Sequence, residues 1–369
     1  MITSDTTETY INSGCETSIN KEDSFDYEDD TLQQPPKDIF CTNEVRSCAE
    51  LYRMVSENAL NTQPSYQRRV VWNNADRTRF LDSLSKRLPI PSLCISVSNE
   101  KYEVIDGQQR IATIVAFLEE AEHPERDWRL SNLNDVDPLL SGKKVSEIRK
   151  NTPELYSRIR NNMLPITSVY CDYERNSHLE YIYKIFHRLN TTGSALNNQE
   201  IRNCIYFGRF NNLLKILDEL SDWAIVLPSV ANDDRLKGQE RILMFFAFCE
   251  QLENYNGRLT TFLNQYMIDH KNDSDMEVNR KKELFIKTLE IAKQIEYTKK
   301  SKVIMDAVLY GIAQNIESLI GCDSAFLTAR YNLLMTSIEF SSESLSGAIW
   351  QKENTLMRFN KSKEIFHAK

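Results

Sequence analysis

The stretch KYEVIDGQQRIATIVAFLEE, residues 101–120, changes its hydrophobic period within a few residues. Upstream, Leu93, Ile95 and Val97 alternate with Cys94 and serines, and a second strand follows through the turn NEK. From Gln108 onward, Ile111, Ile114, Val115 and Leu118 recur on one helical face. A hairpin therefore feeds a helix through a single glycine. Asp106, with Gln109 three residues on, has the form of a capping box, and Gly107 permits the tight turn. That accounts for Asp106, Gly107 and Gln109 but not for Gln108 or Arg110. A second reading of the same junction is an anion site. A helix start offers unpaired amides and about half a positive charge. Arg110 would add a bidentate guanidinium. Asp106 would repel an anion there unless a divalent cation or further arginines offset it, and Arg68 and Arg69 of the YQRR stretch are candidates.

The flanking sequence suggests a mixed unit followed by a helical one. VRSCAELYRMVSENAL reads as a short amphipathic helix. Asn74 is placed to cap a helix in which Phe80, Leu81, Leu84 and Leu88 share a face. Residues 121–163 are polar and broken by prolines, like an inserted excursion, and PITSVYCDY returns as a strand. From Ser177 the pattern is helical almost to the end. ERILMFFAFCEQL is apolar on nearly all sides and belongs at the centre of the helices, with Phe245, Phe246 and Phe248 as core. The expected class is α+β: a mixed-sheet domain over residues 41–205, then an all-α domain over 206–369.

Residues 1–40 hold ten acids and two lysines, which accounts for the whole net charge of −8; the rest carries 43 groups of each sign. Few aliphatics and a terminal QQPP make this stretch an acidic disordered tail. Nucleic-acid mimicry by DSFDYEDD is the sharper reading, and a solvated tail is the commoner one. The near-neutral remainder shows no long basic run of the kind nucleic-acid binders carry. RLKGQER and NRKKELF read as solvated helix faces. The eight cysteines are scattered without a C-x-x-C pair, which suits reduced thiols. No apolar run of about 18 residues and no apolar leader are seen, so a membrane partner is not expected and a cytoplasmic setting is.

Two further blocks join the first. PSYQRRVVW lies about forty residues before DGQQR, and YIYKIFHRLNTTGSALNNQEIRNCIYF follows it. In this order the three blocks resemble the N-terminal domain of GmrSD-type restriction endonucleases, a family with a ParB/sulfiredoxin-like fold. That family is marked by YQR, DGQQR and F-x-R-L-N-x-x-G segments. Ala112 stands where the family usually has threonine, leaving Thr113 as the available hydroxyl. The resemblance implies binding of a nucleoside triphosphate and, in several members, its hydrolysis. Carried over, Asp106, Gln108 and Arg110 would be catalytic, with Asp106 holding Mg²⁺ or orienting water. Tyr66, Gln67, Arg68, Gly107, Gln109, Thr113, Arg188, Asn190 and Gly193 would surround the nucleotide. Such proteins belong to anti-phage systems and are often fused to an HNH nuclease. The histidines here, at 123, 178, 187, 270 and 367, form no paired catalytic motif.

Each block also has a plainer meaning. Glu200 lies three residues after Asn197, as in a capping box; His187 has no partner at metal-site spacing; Trp72 reads as core more readily than as a base-stacking platform. Three functions stay open: an NTP-hydrolysing regulator, a ParB-like DNA-binding protein or nuclease, and a non-catalytic nucleotide-sensing partner protein. DNA or a separate nuclease subunit are the conceivable partners.

Overall fold

The computed structural model describes residues 35–62, 72–123, 127–189, 196–231, 233–345 and 348–367. Its mixed sheet is built from β1 (Phe40–Ser47), β2 (Leu60–Asn61), β3 (Leu93–Ser98), β4 (Lys101–Asp106) and β5 (Met163–Tyr170), in the order β1-β5-β3-β4-β2. β3 is central and buried at every position, pairing parallel with β5 and antiparallel with β4. Asn99 and Glu100, both at positive φ, make the two-residue hairpin turn whose twist matches that of the strands. β1 was not foreseen: it is an edge strand with Phe40 and Val45 mostly exposed, so no alternating apolar face announces it.

Two cores cover the two faces of the sheet. On one, Ile95 and Val104 pack against α1 (Cys48–Ser56), α2 (Asn74–Ser85) and α3 (Gln108–Glu122). The polar excursion completes this core. It folds into α4 (Val145–Asn151) and α5 (Pro153–Arg160), which bury Val145, Ile148, Leu155 and Ile159 among charged neighbours. The cap of α2 is Asn73, which accepts from the Asp76 amide at 3.0 Å. Asn74 instead accepts from the Trp128 indole at 2.7 Å and donates to the Arg129 carbonyl. Leu88 falls beyond the helix and is half exposed.

On the other face Cys94, Ile105 and Val169 begin a core that continues without a break into the helices. These are α6 (Asn176–Leu189), α7 (Asn198–Ile205), α8 (Arg209–Asp218), α9 (Ser221–Val226), α10 (Lys237–Gln251) and α11 (Leu259–His270). They are followed by α12 (Asp275–Ala292), α13 (Lys302–Gln314), α14 (Ile316–Leu319), α15 (Ser324–Met335) and α16 (Lys352–Ile365). α10 is the hub, with every residue from Arg241 to Phe248 buried. The predicted box at α7 forms: Asn197 accepts from the Glu200 amide at 2.8 Å and Glu200 accepts from the Asn197 amide at 2.6 Å. Among the described residues no helix is long and apolar enough to cross a membrane.

Candidate functional site

The β4–α3 junction is built differently from its sequence signature. Asp106 ends the strand, and the cap of α3 is Gly107 at φ +96°, with no side chain bonded to the first-turn amides. The expected Asp106–Gln109 capping box does not form. The reason is geometric: a left-handed glycine between strand and helix turns the Asp106 side chain off the helix start. Asp106 Oδ2 instead accepts from Arg110 Nη2 at 2.7 Å, one helical turn on, and Arg110 Nη1 donates to the Pro91 carbonyl. A bulge lies just upstream, between the pairs Cys94↔Asp106 and Ile95↔Val104, where β4 carries one extra residue. Bulges commonly re-aim side chains beside functional sites.

Gly107 is required twice over. Its φ is one that side chains rarely adopt, and an added Cβ would lie 2.2 Å from Leu93 Cδ2 and 3.1 Å from Arg110 Nη2. The Arg110 guanidinium is therefore laid across the helix start. Burial pulls its pKa below the ordinary value, and the Asp106 charge offsets part of that. Two of its five N–H donors are engaged among the described residues.

The two glutamines have structural partners far away in sequence. Gln108 Nε2 donates to the Thr62 carbonyl at 2.8 Å, and Gln109 Oε1 accepts from the Trp72 amide at 3.2 Å. Thr62 and Trp72, the described residues on either side of the YQRR stretch, are thus both bonded to the first turn of α3. Tyr66, Gln67 and Arg68, and likewise Asn190 and Gly193, lie outside the described residues. Thr113 is fully buried, and its hydroxyl donates to the Gln109 carbonyl at 2.7 Å. Arg188 is exposed at the end of α6, a helix that packs against β4. Trp72 is half-buried, edge-on to Phe80 at 5.4 Å.

A groove of about 880 Å³ starts at Thr62 and follows the short β2 edge between α3 and the β3–β4 turn. Ala112, Ala116 and Glu119 of α3 line it, on the helical face that Gln108 begins. Small side chains there leave the room. Arg77 of α2 reaches it. Its Nε is buried without a hydrogen-bond partner among the described residues, its guanidinium lies 5.6 Å from the Trp128 ring, and burial lowers its pKa. Glu103 of β4 also lines the groove. Burial raises its pKa, while hydrogen bonds from Tyr173 and Asn61 work the other way. The Tyr173 hydroxyl is also 2.7 Å from Ser96 Oγ.

Neither Arg77 nor Glu103 was singled out from sequence. Arg77 shares α2 with Arg79, which pairs with Asp135 at 2.9 Å, and nothing local separates the two arginines. Glu103 occupies an ordinary alternating strand position. Among the described residues no group of three or more metal-ligating side chains occurs.

No curated protein and no solved structure matches the chain. Residues 49–207 match the family model described as GmrSD restriction endonuclease, N-terminal domain. The matched segment begins within α1 and ends at Phe207, taking in β2 to β5, the DGQQR junction and the groove beside it. It is to this domain, over residues 49–207, that the chain is similar.

Proposed function

We propose that this protein is a nucleoside-triphosphate-binding and NTP-hydrolysing regulator in a restriction-type, phage-defence system. Similarity to the GmrSD family supports the system. The nucleotide reading is carried by one observation: a left-handed glycine opens α3 with no side-chain cap, and the Arg110 guanidinium lies over that opening. Helix-start amides and an arginine fork are the elements that hold phosphate oxygens.

Asp106 is the candidate for Mg²⁺. Its Oδ2 is held by Arg110, and Oδ1 has no hydrogen-bond partner among the described residues. A single carboxylate suits an ion that takes its other ligands from phosphates and water. Bound there, Mg²⁺ would neutralise charge on the phosphates. Arg110 then has two roles: it orients Asp106 and offers its remaining donors to the departing phosphate. Gln108 and Gln109 bond the described residues Thr62 and Trp72 and so act as positioning residues.

Phosphate release and calorimetric binding, measured with all four Mg·NTPs on wild type, Arg110→Ala and Asp106→Asn, test this. We expect turnover by wild type and a loss of at least about 100-fold in either variant, the range typical of removing one transition-state donor. Equal turnover by wild type and Arg110→Ala would overturn the catalytic assignment. Binding without turnover would make the protein a nucleotide sensor, and plasmid nicking by the pure protein with Mg²⁺ would favour a nuclease.

A further inference from the structure

We propose that two copies of this chain associate through the open edge of β1, pairing antiparallel with Asn43 opposite the partner's Asn43. The surface is independent of the nucleotide reading: β1 lies at one edge of the sheet, and the groove follows the other.

Strand register fixes which backbone groups are open. The Cys48 amide donates to the Asn162 carbonyl at 3.0 Å, continuing the β1–β5 register by one residue. Opposite residues in an antiparallel pair alternate between exchanging bonds and exchanging none. Thr42, Glu44 and Arg46 therefore bond β5, while Cys41, Asn43 and Val45 direct their N–H and C=O groups outward. Two observations agree. Pro165, opposite Val45, has no N–H to donate, and the Cys171 amide, in phase with Pro165, donates away from β1 to the Val97 carbonyl.

Among the described residues no strand pairs with that outward side. Edges are usually blocked by a lysine, a proline, a bulge or a very short strand. β1 has eight residues and none of these devices. Its two charges are turned to each other and to α1: Arg46 Nε donates to Glu44 at 3.1 Å, and Nη1 to Glu50 at 3.2 Å.

The side chains then select the occupant. A two-fold axis normal to the sheet aligns like faces, and outward groups must meet outward groups. Two registers give the longest overlap, one centred on Asn43 and one on Glu44. The second sets two carboxylates face to face, which is unfavourable. The first sets Glu44 opposite the partner's Thr42, Cys41 opposite the partner's Val45, and Asn43 opposite itself, with about six main-chain hydrogen bonds. Val45, 60% exposed in one chain, gains a neighbour. A strand complementary to itself fits a second copy.

A ribbon of this length buries less than a standard interface, so association is weak, with a Kd of about 10–100 µM. Sedimentation velocity of the full chain, from about 5 to about 500 µM in reducing buffer, should show monomer passing to dimer. Val45→Pro removes only an outward N–H. It should melt within about 2 °C of wild type and dimerise at least about tenfold more weakly. Val45→Cys gives a readout that does not depend on proline being tolerated. It places a thiol opposite the partner's exposed Cys41, with the Cα atoms about 5.5 Å apart and within disulfide reach. Along one strand the same two positions are about 13 Å apart and cannot bridge. Oxidised protein should therefore be a covalent dimer whose peptide map joins position 45 to Cys41, lost with Cys41→Ser. Wild type that stays monomeric throughout, association undiminished in folded Val45→Pro, or a dimer that does not form this crosslink overturns the proposal.

Discussion

Replacing Gly107 by alanine tests whether the DGQQR junction is held by the backbone or by its side chains. Two costs follow from the structure. A side chain at φ +96° is in the left-handed region, which costs about 1–2 kcal/mol. The new Cβ also falls 2.2 Å from Leu93 Cδ2, and Leu93, the first residue of β3, is fully buried, so the leucine must shift within a closed core, at about 1–3 kcal/mol. Together they predict a loss of about 2–5 kcal/mol. With an unfolding entropy near 2.1 cal/mol/K per residue, the 369-residue chain should melt about 3–6 °C lower. Differential scanning calorimetry of the wild type, Gly107→Ala, Leu93→Val and the double variant separates the two costs. If the clash is real, Leu93→Val should cost less in the alanine background than in wild type, by about 1 kcal/mol. A Gly107→Ala midpoint within 1 °C of wild type, about 0.8 kcal/mol on the same scale, would refute the geometry of the junction. A full loss with no coupling to Leu93 would leave only the backbone part of the argument.

Other perturbations read other parts of the structure. Gln109→Ala removes the acceptor of the Trp72 amide, so hydrogen exchange at that amide should speed up about 5–10-fold, equivalent to about 1 kcal/mol; an unchanged rate would detach Gln109 from that role. Glu200→Ala breaks the α7 capping box and the 3.1 Å pair with Arg235, and should cost about 1–3 kcal/mol in thermal unfolding, with Glu200→Gln recovering part of it. Burial alone would raise the Glu250 pKa, but the hydrogen bonds from Lys281, Tyr266 and Arg280 outweigh it and the net shift is downward. Its contribution is therefore present above the unfolded carboxylate value near 4.5 and lost as pH falls through the lower folded value. The melting temperature of Glu250→Gln should fall less steeply than that of wild type below pH 4.5; parallel curves would exclude this group from acid unfolding.

Much of the local architecture follows from short-range chemistry. The strand–glycine–helix junction, the Asn197–Glu200 cap and the Phe245–Phe248 core each depend on periods or spacings of a few residues. The misreadings also have local causes. Asn73 and Asn74 are equally good caps by type, and the indole of Trp128 claims the second. Asp106 has the i,i+3 spacing of a cap with Gln109, yet Arg110 stands within i,i+4 reach and a left-handed Gly107 takes the cap position. The excursion read as polar because its buried residues are isolated among charges, and only contact with α2 and α3 shows that they complete a core.

By itself the sequence determined the element types around DGQQR, the α+β class and the family model that residues 49–207 match, because these rest on periodicity and on motifs continuous in the chain. What the motif residues do to one another was decided only by the tertiary structure. Gln108 and Gln109 bond Thr62 and Trp72, 46 and 37 residues away. Arg77 and Glu103, unremarkable in their own elements, both come to line one groove, although they belong to a helix and a strand distant in the chain. A hydrogen bond goes to whichever partner folding brings within reach, and for a side chain between two elements that partner is seldom a neighbour in sequence.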